Sequence, residues 1–182
     1  MGLMRLDRTQ APVSRYVTNS RGYRGIPQTI DWMRKLAREG QSDPQVRRYA
    51  INCVREVLPK DHLSEIAALY YDTARRIRYT RDPAEAELVQ HPIVTLRERA
   101  GDCDDMATLL VGLLGTQALS VGAPTEFVTA GFKKNPGVNK YTHVFMRVQD
   151  PNTGGWLVLD PVAGPESGNM IRKALRWKGY HT

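Results

Sequence analysis

Hydrophobic residues recur with a helical period in the first half of the chain and with a strand period in the second. Over 28–39, Ile30, Met33 and Ala37 share one helical face, and Gly40 reads as the stop. Ser42-Asp43-Pro44 has the makeup of a helix start, a capping residue with proline in the first turn. Behind it Val46, Tyr49, Ala50, Cys53, Val54 and Val57 form an apolar stripe that Pro59 breaks. A third helix is predicted over 61–78, with Leu63, Ile66, Ala67, Tyr70, Ala74 and Ile77 inward. The stretch 79–83 reads as a turn and 84–94 as a covering loop, in which His91 is a surface or loop histidine. Thr95-Leu96-Arg97-Glu98 has the form of a capping box opening a short helical turn.

The most apolar run, Met106 to Gly115, follows Gly101-Asp102-Cys103-Asp104-Asp105. A Gly-Asp turn there predicts a helix capped by Asp102 and wrapped by the rest of the domain. Beyond it the period changes. Residues 125–131, 142–148 and 156–160 read as strands, with turn-rich links at 133–140 and 150–155. Links this short imply antiparallel pairing. The segment 170–177 reads as a short basic helix. The expected fold class is α+β, N-terminal helices packed on an antiparallel sheet.

A chain of 182 residues with 41% hydrophobic and 25% charged residues suits one soluble globular domain. Two cysteines do not make a disulfide framework, which points to a reducing compartment. Residues 1–7 lack the apolar core of a signal peptide, and no run is long enough to span a bilayer, so the expected location is cytoplasmic. The net charge of +7 sits at the ends: residues 1–25 hold five Arg and one Asp, and 170–182 hold two Arg and two Lys with no acid. This divides the chain into an extended basic arm (1–27), a domain (28–165) and a basic C-terminal segment (166–182). Basic ends of this kind fit an acidic partner surface, but no aromatic-interleaved stripe marks a nucleic-acid reader.

Three residues form a candidate catalytic set. Cys103 opens the apolar helix, where unpaired N–H groups and the helix dipole favour a thiolate. His143 lies near the start of the second strand and Asp160 at the end of the third. In an antiparallel pair those two positions are neighbours. Asp160 can then hold the imidazole in one tautomer while the ring takes a proton from the sulfur, an order suited to acyl transfer. Cys53, on an apolar stripe, reads as structural. No CxxC or HExxH occurs, and Asp102, Asp104 and Asp105 lack the alternating spacing of a calcium loop, so no metal or cofactor is expected.

Gly101-Asp102-Cys103-Asp104-Asp105, Tyr141-Thr142-His143-Val144 and Gly155-Trp156-Leu157-Val158-Leu159-Asp160-Pro161 together resemble the transglutaminase-like superfamily of papain-like cysteine enzymes, including its bacterial and phage-encoded members. The resemblance covers roughly residues 60–165. It implies an α+β fold with the nucleophile's helix against the sheet. It also implies nucleophile, base and orienting roles for Cys103, His143 and Asp160, acting on a peptide or protein substrate. Papain-like enzymes often place a side-chain oxyanion donor upstream of the cysteine. Here Arg97 stands six residues before it, and Gln90, His91 and Tyr79 are the open candidates. A second reading keeps the fold inside a larger assembly, such as a phage virion or tail, joined to its structural proteins through the basic arm.

Overall fold

Helix α5 (Cys103–Leu114) is the axis of the fold: every residue from Asp104 to Leu114 is buried. Such a helix has no solvent face to keep polar, which explains why Thr108 alone interrupts the apolar run from Met106 to Leu114. The computed structural model describes residues 16–18, 25–83, 87–116, 122–131, 141–164 and 176–182. Most of the basic arm, the 133–140 turn and residues 165–175 lie outside them.

Around α5 stand α1 (Ile26–Ser42), α2 (Pro44–Val54), α3 (His62–Arg76) and α4 (Pro92–Glu98), all in contact with it. Asp43 caps α2 by accepting from the N–H groups of Gln45 and Val46, with Pro44 in the first turn. Asp61 caps α3 through the Ser64 N–H. Helix α1 differs from its predicted extent. It starts at Ile26, inside the expected arm, and runs through Gly40 to Ser42. Gly40 is a packing residue rather than a stop: a Cβ there would lie 2.5 Å from Cγ of Pro92. A Cβ on Gly112 of α5 would meet the same Pro92 Cγ at 3.0 Å. Pro92 therefore seats α4 between α1 and α5, where only glycines let the backbones come this close.

Helix α4 also replaces part of the expected 84–94 loop. His91 is its N-cap, its Nδ1 accepting from the Ile93 N–H at 3.2 Å, and Pro92 supplies a first helical residue with preset φ. The helix thus begins four residues ahead of the expected Thr95 capping box. His91 is buried, not a surface or loop side chain.

The main sheet holds β5 (Thr125–Gly131), β6 (His143–Gln149), β7 (Trp156–Leu159) and β8 (Arg176–His181) in the order β7-β6-β5-β8, all neighbours antiparallel. Alternation sends Phe127, Val144, Met146, Val148 and Leu159 to the helical core, and Val128, Ala130 and Phe145 to the opposite face. Most of the helix expected over 170–177 lies outside the described residues; its last two positions, 176 and 177, belong instead to strand β8. Its backbone pairs with β5 along six residues. Arg34 of α1 holds it by donating to the His181 carbonyl at 2.5 Å. The C-terminal end is thereby part of the sheet.

Two short pairs complete the structure: β1 (Tyr16–Thr18) lies antiparallel to β3 (Glu87–Val89), and β2 (Arg78–Tyr79) parallel to β4 (Ala100–Gly101). No helix among the described residues is long and apolar enough to cross a membrane.

Candidate active site

The first turn of α5 is built from carboxylates. The Asp102 side chain accepts from the Asp104 N–H at 3.2 Å, and Asp105 Oδ2 accepts from the Asp102 N–H at 3.2 Å, a reciprocal capping box. Gln90 grips Asp105 twice, its backbone N–H donating to Oδ1 at 2.6 Å and its Nε2 to Oδ2 at 2.7 Å. Gly101 makes room for this: a Cβ there would sit 2.6 Å from Cβ of Asp105. Glycine before the Asp-Cys pair is thus required by the carboxylate two residues past the cysteine.

Burial works against these charges. It pushes the Asp105 carboxyl up to about 8, with the Asp102 charge adding to it, while the Gln90 and Asp102 N–H bonds pull the other way. Burial pushes Asp104 well above the ordinary carboxylate range, and Asp102 adds to that through a hydrogen bond and its charge. Asp104 Oδ1 is buried without a hydrogen-bond partner. The three carboxylates each bring an oxygen within 4.8 Å of the others, the one group among the described residues that could hold a metal ion. Hard cations take oxygens of this kind.

His143 and Asp160 meet across β6 and β7. With Met146 opposite Leu159, the strand ends bring His143 and Asp160 to diagonal positions on one face. His143 Nε2 and Asp160 Oδ2 are 2.7 Å apart. Asp160 is fully buried and held from every side. Its Oδ1 accepts from the N–H groups of Val162 and Ala163 at 3.1 and 3.3 Å, and its carbonyl accepts from the Tyr70 hydroxyl at 3.1 Å. That hydroxyl also reaches the Gly164 carbonyl. The His143 ring rests against Phe145, centroids 5.9 Å apart.

Cys103 and His143 line one cavity of about 320 Å³, together with Tyr79, Glu87, Asp102 and Tyr141; Ile26, Ile30 and Met33 of α1 form an apolar wall. Cys103 is half-buried. Burial pushes its thiol up to about 12, Asp102 foremost among the charges adding to it, while a hydrogen bond from the Val144 backbone N–H lowers it. The helix start does not leave a resting thiolate here, because desolvation and negative neighbours outweigh it. Asp160 and Glu87 push the thiol the same way. The structure thus brings Cys103 and His143 to one cavity and bonds His143 to Asp160.

Other residues of the site have weaker sequence signals. Tyr70 sits on an apolar helical stripe and looks like any core aromatic, so nothing in the pattern marks its hold on Asp160. Glu87 lies in a stretch read as loop, and its place on the cavity depends on the β1–β3 pair. Its carboxyl is raised by burial and then by Asp102 and Asp82.

A family model described as the transglutaminase-like superfamily matches residues 51–161, which span α3 through β7 and include Cys103, His143 and Asp160. No curated protein matches the chain. Among solved structures, a provisionally assigned protease from Parabacteroides distasonis aligns with a TM-score of 0.50 at 12% identity, over 70% of this chain and 25% of that one. A provisionally assigned cysteine protease from Cytophaga hutchinsonii aligns at 0.49 and 19% identity, over 76% of this chain and 47% of that one. Legionella pneumophila LapG, in an EGTA-treated form, aligns at 0.43 and 17%, over 71% and 70%. The chain spans less than half the length of the first two.

Proposed function

Because the chain belongs to the transglutaminase-like superfamily, we propose that it is a cysteine hydrolase of the peptidase or amidase type, with Cys103 as nucleophile, His143 as base and Asp160 as the orienting group. The observation that carries this reading is the 2.7 Å contact of His143 Nε2 with a buried, fourfold-held Asp160 beside the cavity that Cys103 lines.

With Nε2 given to Asp160, proton exchange with the sulfur falls to Nδ1. The sulfur starts protonated, so proton removal and attack go together. Nδ1 takes the thiol proton, a C–S bond forms at the substrate carbonyl, and its π electrons move to oxygen. The Cys103 N–H, at the start of α5 where a helix leaves its first N–H groups without partners inside it, would donate to that oxyanion. As the C=O re-forms, the C–N bond breaks and the amine leaves with the proton held by His143. Water then bonds through its oxygen to the thioester carbon as His143 takes its proton; when the C=O re-forms the C–S bond breaks, His143 returns the proton to the sulfur, and a carboxylic acid leaves the regenerated thiol. Asp160 stabilises the imidazolium at each stage without taking its proton.

The test is turnover of peptide and amide substrates by the intact chain and by Cys103→Ala, His143→Ala and Asp160→Asn. Losses of at least about 10³-fold for the first two are expected. Activity that survives Cys103→Ala would overturn the reading.

A further inference from the structure

The geometry points to the Tyr79 hydroxyl as the second oxyanion donor of this site, a catalytic residue facing the Cys103 N–H across the substrate carbonyl. The inference rests on the proposed role of Cys103 and adds a residue to it. The sequence left three upstream side chains open as candidates for that donor, Tyr79, Gln90 and His91. The structure separates them.

Gln90 has its Nε2 on Asp105 at 2.7 Å, inside the capping box, and does not line the cavity. His91 is 5% exposed, caps α4 through Nδ1, and is likewise absent from the cavity wall. Tyr79 lines the cavity with Cys103 and His143 and keeps 45% of its surface open. A large aromatic side chain left open at a concave site is placed to meet a ligand.

Its position relative to the sulfur is fixed by backbone. Strands β2 and β4 pair in parallel with Tyr79 opposite Gly101, two residues before Cys103. The Arg78 N–H donates to the Arg99 carbonyl and the Thr80 N–H to the Gly101 carbonyl, both at 2.9 Å. Tyr79 is thus clamped on both sides to the segment that delivers the cysteine. Preorganised donors work only when the scaffold holds them in this way.

The phenol also has suitable electrostatics. Burial, then neighbouring Cys103 and Asp102, raise its pKa, so the proton stays in place throughout neutral pH. A hydrogen bond with Arg81 opposes that rise and polarises the O–H. A neutral phenol with a retained proton donates to a developing oxyanion without transferring it. During attack the sulfur–carbon bond forms, the carbonyl electrons settle on oxygen, and Tyr79 O–H and Cys103 N–H share that charge. Both bonds relax when the C=O re-forms and the leaving group departs.

The test compares two reactions of the same thiol in the intact chain. p-Nitrophenyl acetate acylates Cys103 through an oxyanion. Iodoacetamide alkylates it at a saturated carbon, with no oxyanion formed. Mass spectrometry of the Cys103 peptide reads both adducts with time. Tyr79→Phe, which keeps the ring and so the fold, should slow acylation by about 100-fold and leave alkylation within about twofold. Equal slowing of the two reactions, or no slowing of acylation, would overturn the role of Tyr79 while leaving Cys103 as nucleophile. A wild-type Cys103 inert to both reagents would instead remove the reading on which the inference stands, and the inference with it.

Discussion

Cys53 and Cys103 are both half-buried, both stand near aspartates, and burial drives both thiols up to about 12. Cys53 lies late in α2, where Asp72 hydrogen-bonds it and also accepts from Tyr49 at 2.5 Å and from Arg76 at 2.6 Å. That carboxylate is already committed, and Cys53 packs against the core. Cys103 opens a helix, has a cavity before it, and shares that cavity with an imidazole held by a buried carboxylate. Thiol acidity does not distinguish the two. What distinguishes them is whether a base, an unfilled helix end and space for a substrate converge on the sulfur. The proposed nucleophile is set apart by its surroundings more than by its resting charge.

The sharpest way to break this comparison is to swap the losses. Cys103→Ala should cut amide turnover by at least about 10³-fold, whereas Cys53→Ala should leave kcat/KM within about twofold. Comparable losses would erase the distinction. Next comes the base. At pH 7.5 iodoacetamide should alkylate Cys103 faster than Cys53, and His143→Ala should cut the Cys103 rate by about 10²-fold or more without touching Cys53. Peptide mass mapping checks both rates. If the two cysteines label alike in both proteins, the imidazole does not serve the sulfur.

Smaller effects probe the scaffold that holds Cys103. Gly40→Ala forces a Cβ to within 2.5 Å of Pro92, and neither helix can yield cheaply. A loss of about 1–3 kcal/mol in urea unfolding is expected, against less than about 0.5 for an alanine at exposed Glu39. The smallest effect is electrostatic. Asp105 has a folded pKa of about 8 against an ordinary carboxylate value near 3.9 when unfolded. The native state therefore binds the extra proton. Stability from this group is full below the unfolded value and is lost as pH rises through about 8. Thermal unfolding should fall by a few degrees between pH 5 and 8.5, and by less in Asp105→Asn. A wild-type profile that rises over this range, with Asp105→Asn unchanged from it, would contradict the assignment.

The helices and the three central strands were legible because each carries a clean period: Val46 to Val54 at 3.6, and Phe127 and Met146 in alternation. Asp43 and Pro44 marked α2 because capping chemistry is local. Gly40 was misread as a stop, since its role depends on Pro92, fifty residues away. His91 and Pro92 were read as loop because a histidine N-cap has no strong local signature. Residues 176 and 177 were read as a helix end and 178–182 were given no element, because the register of β8 with β5 is set by tertiary pairing, which a short basic segment does not announce. Of the candidate site, the meeting of His143 with Asp160 and the opening of α5 at Cys103 were legible through strand ends and local capping. The hold of Tyr70 on Asp160 and the place of Tyr79 depended on contacts that no local pattern encodes.

Strand β8 has one more consequence. It covers the outer hydrogen-bonding row of β5, whose residues Glu126–Gly131 are all buried. Removing residues 176–182 would strip that row and leave a β-rich, apolar ribbon open to any other extended chain, a template for intermolecular stacking. The truncated chain should scatter light and bind thioflavin T at concentrations where the full chain stays clear.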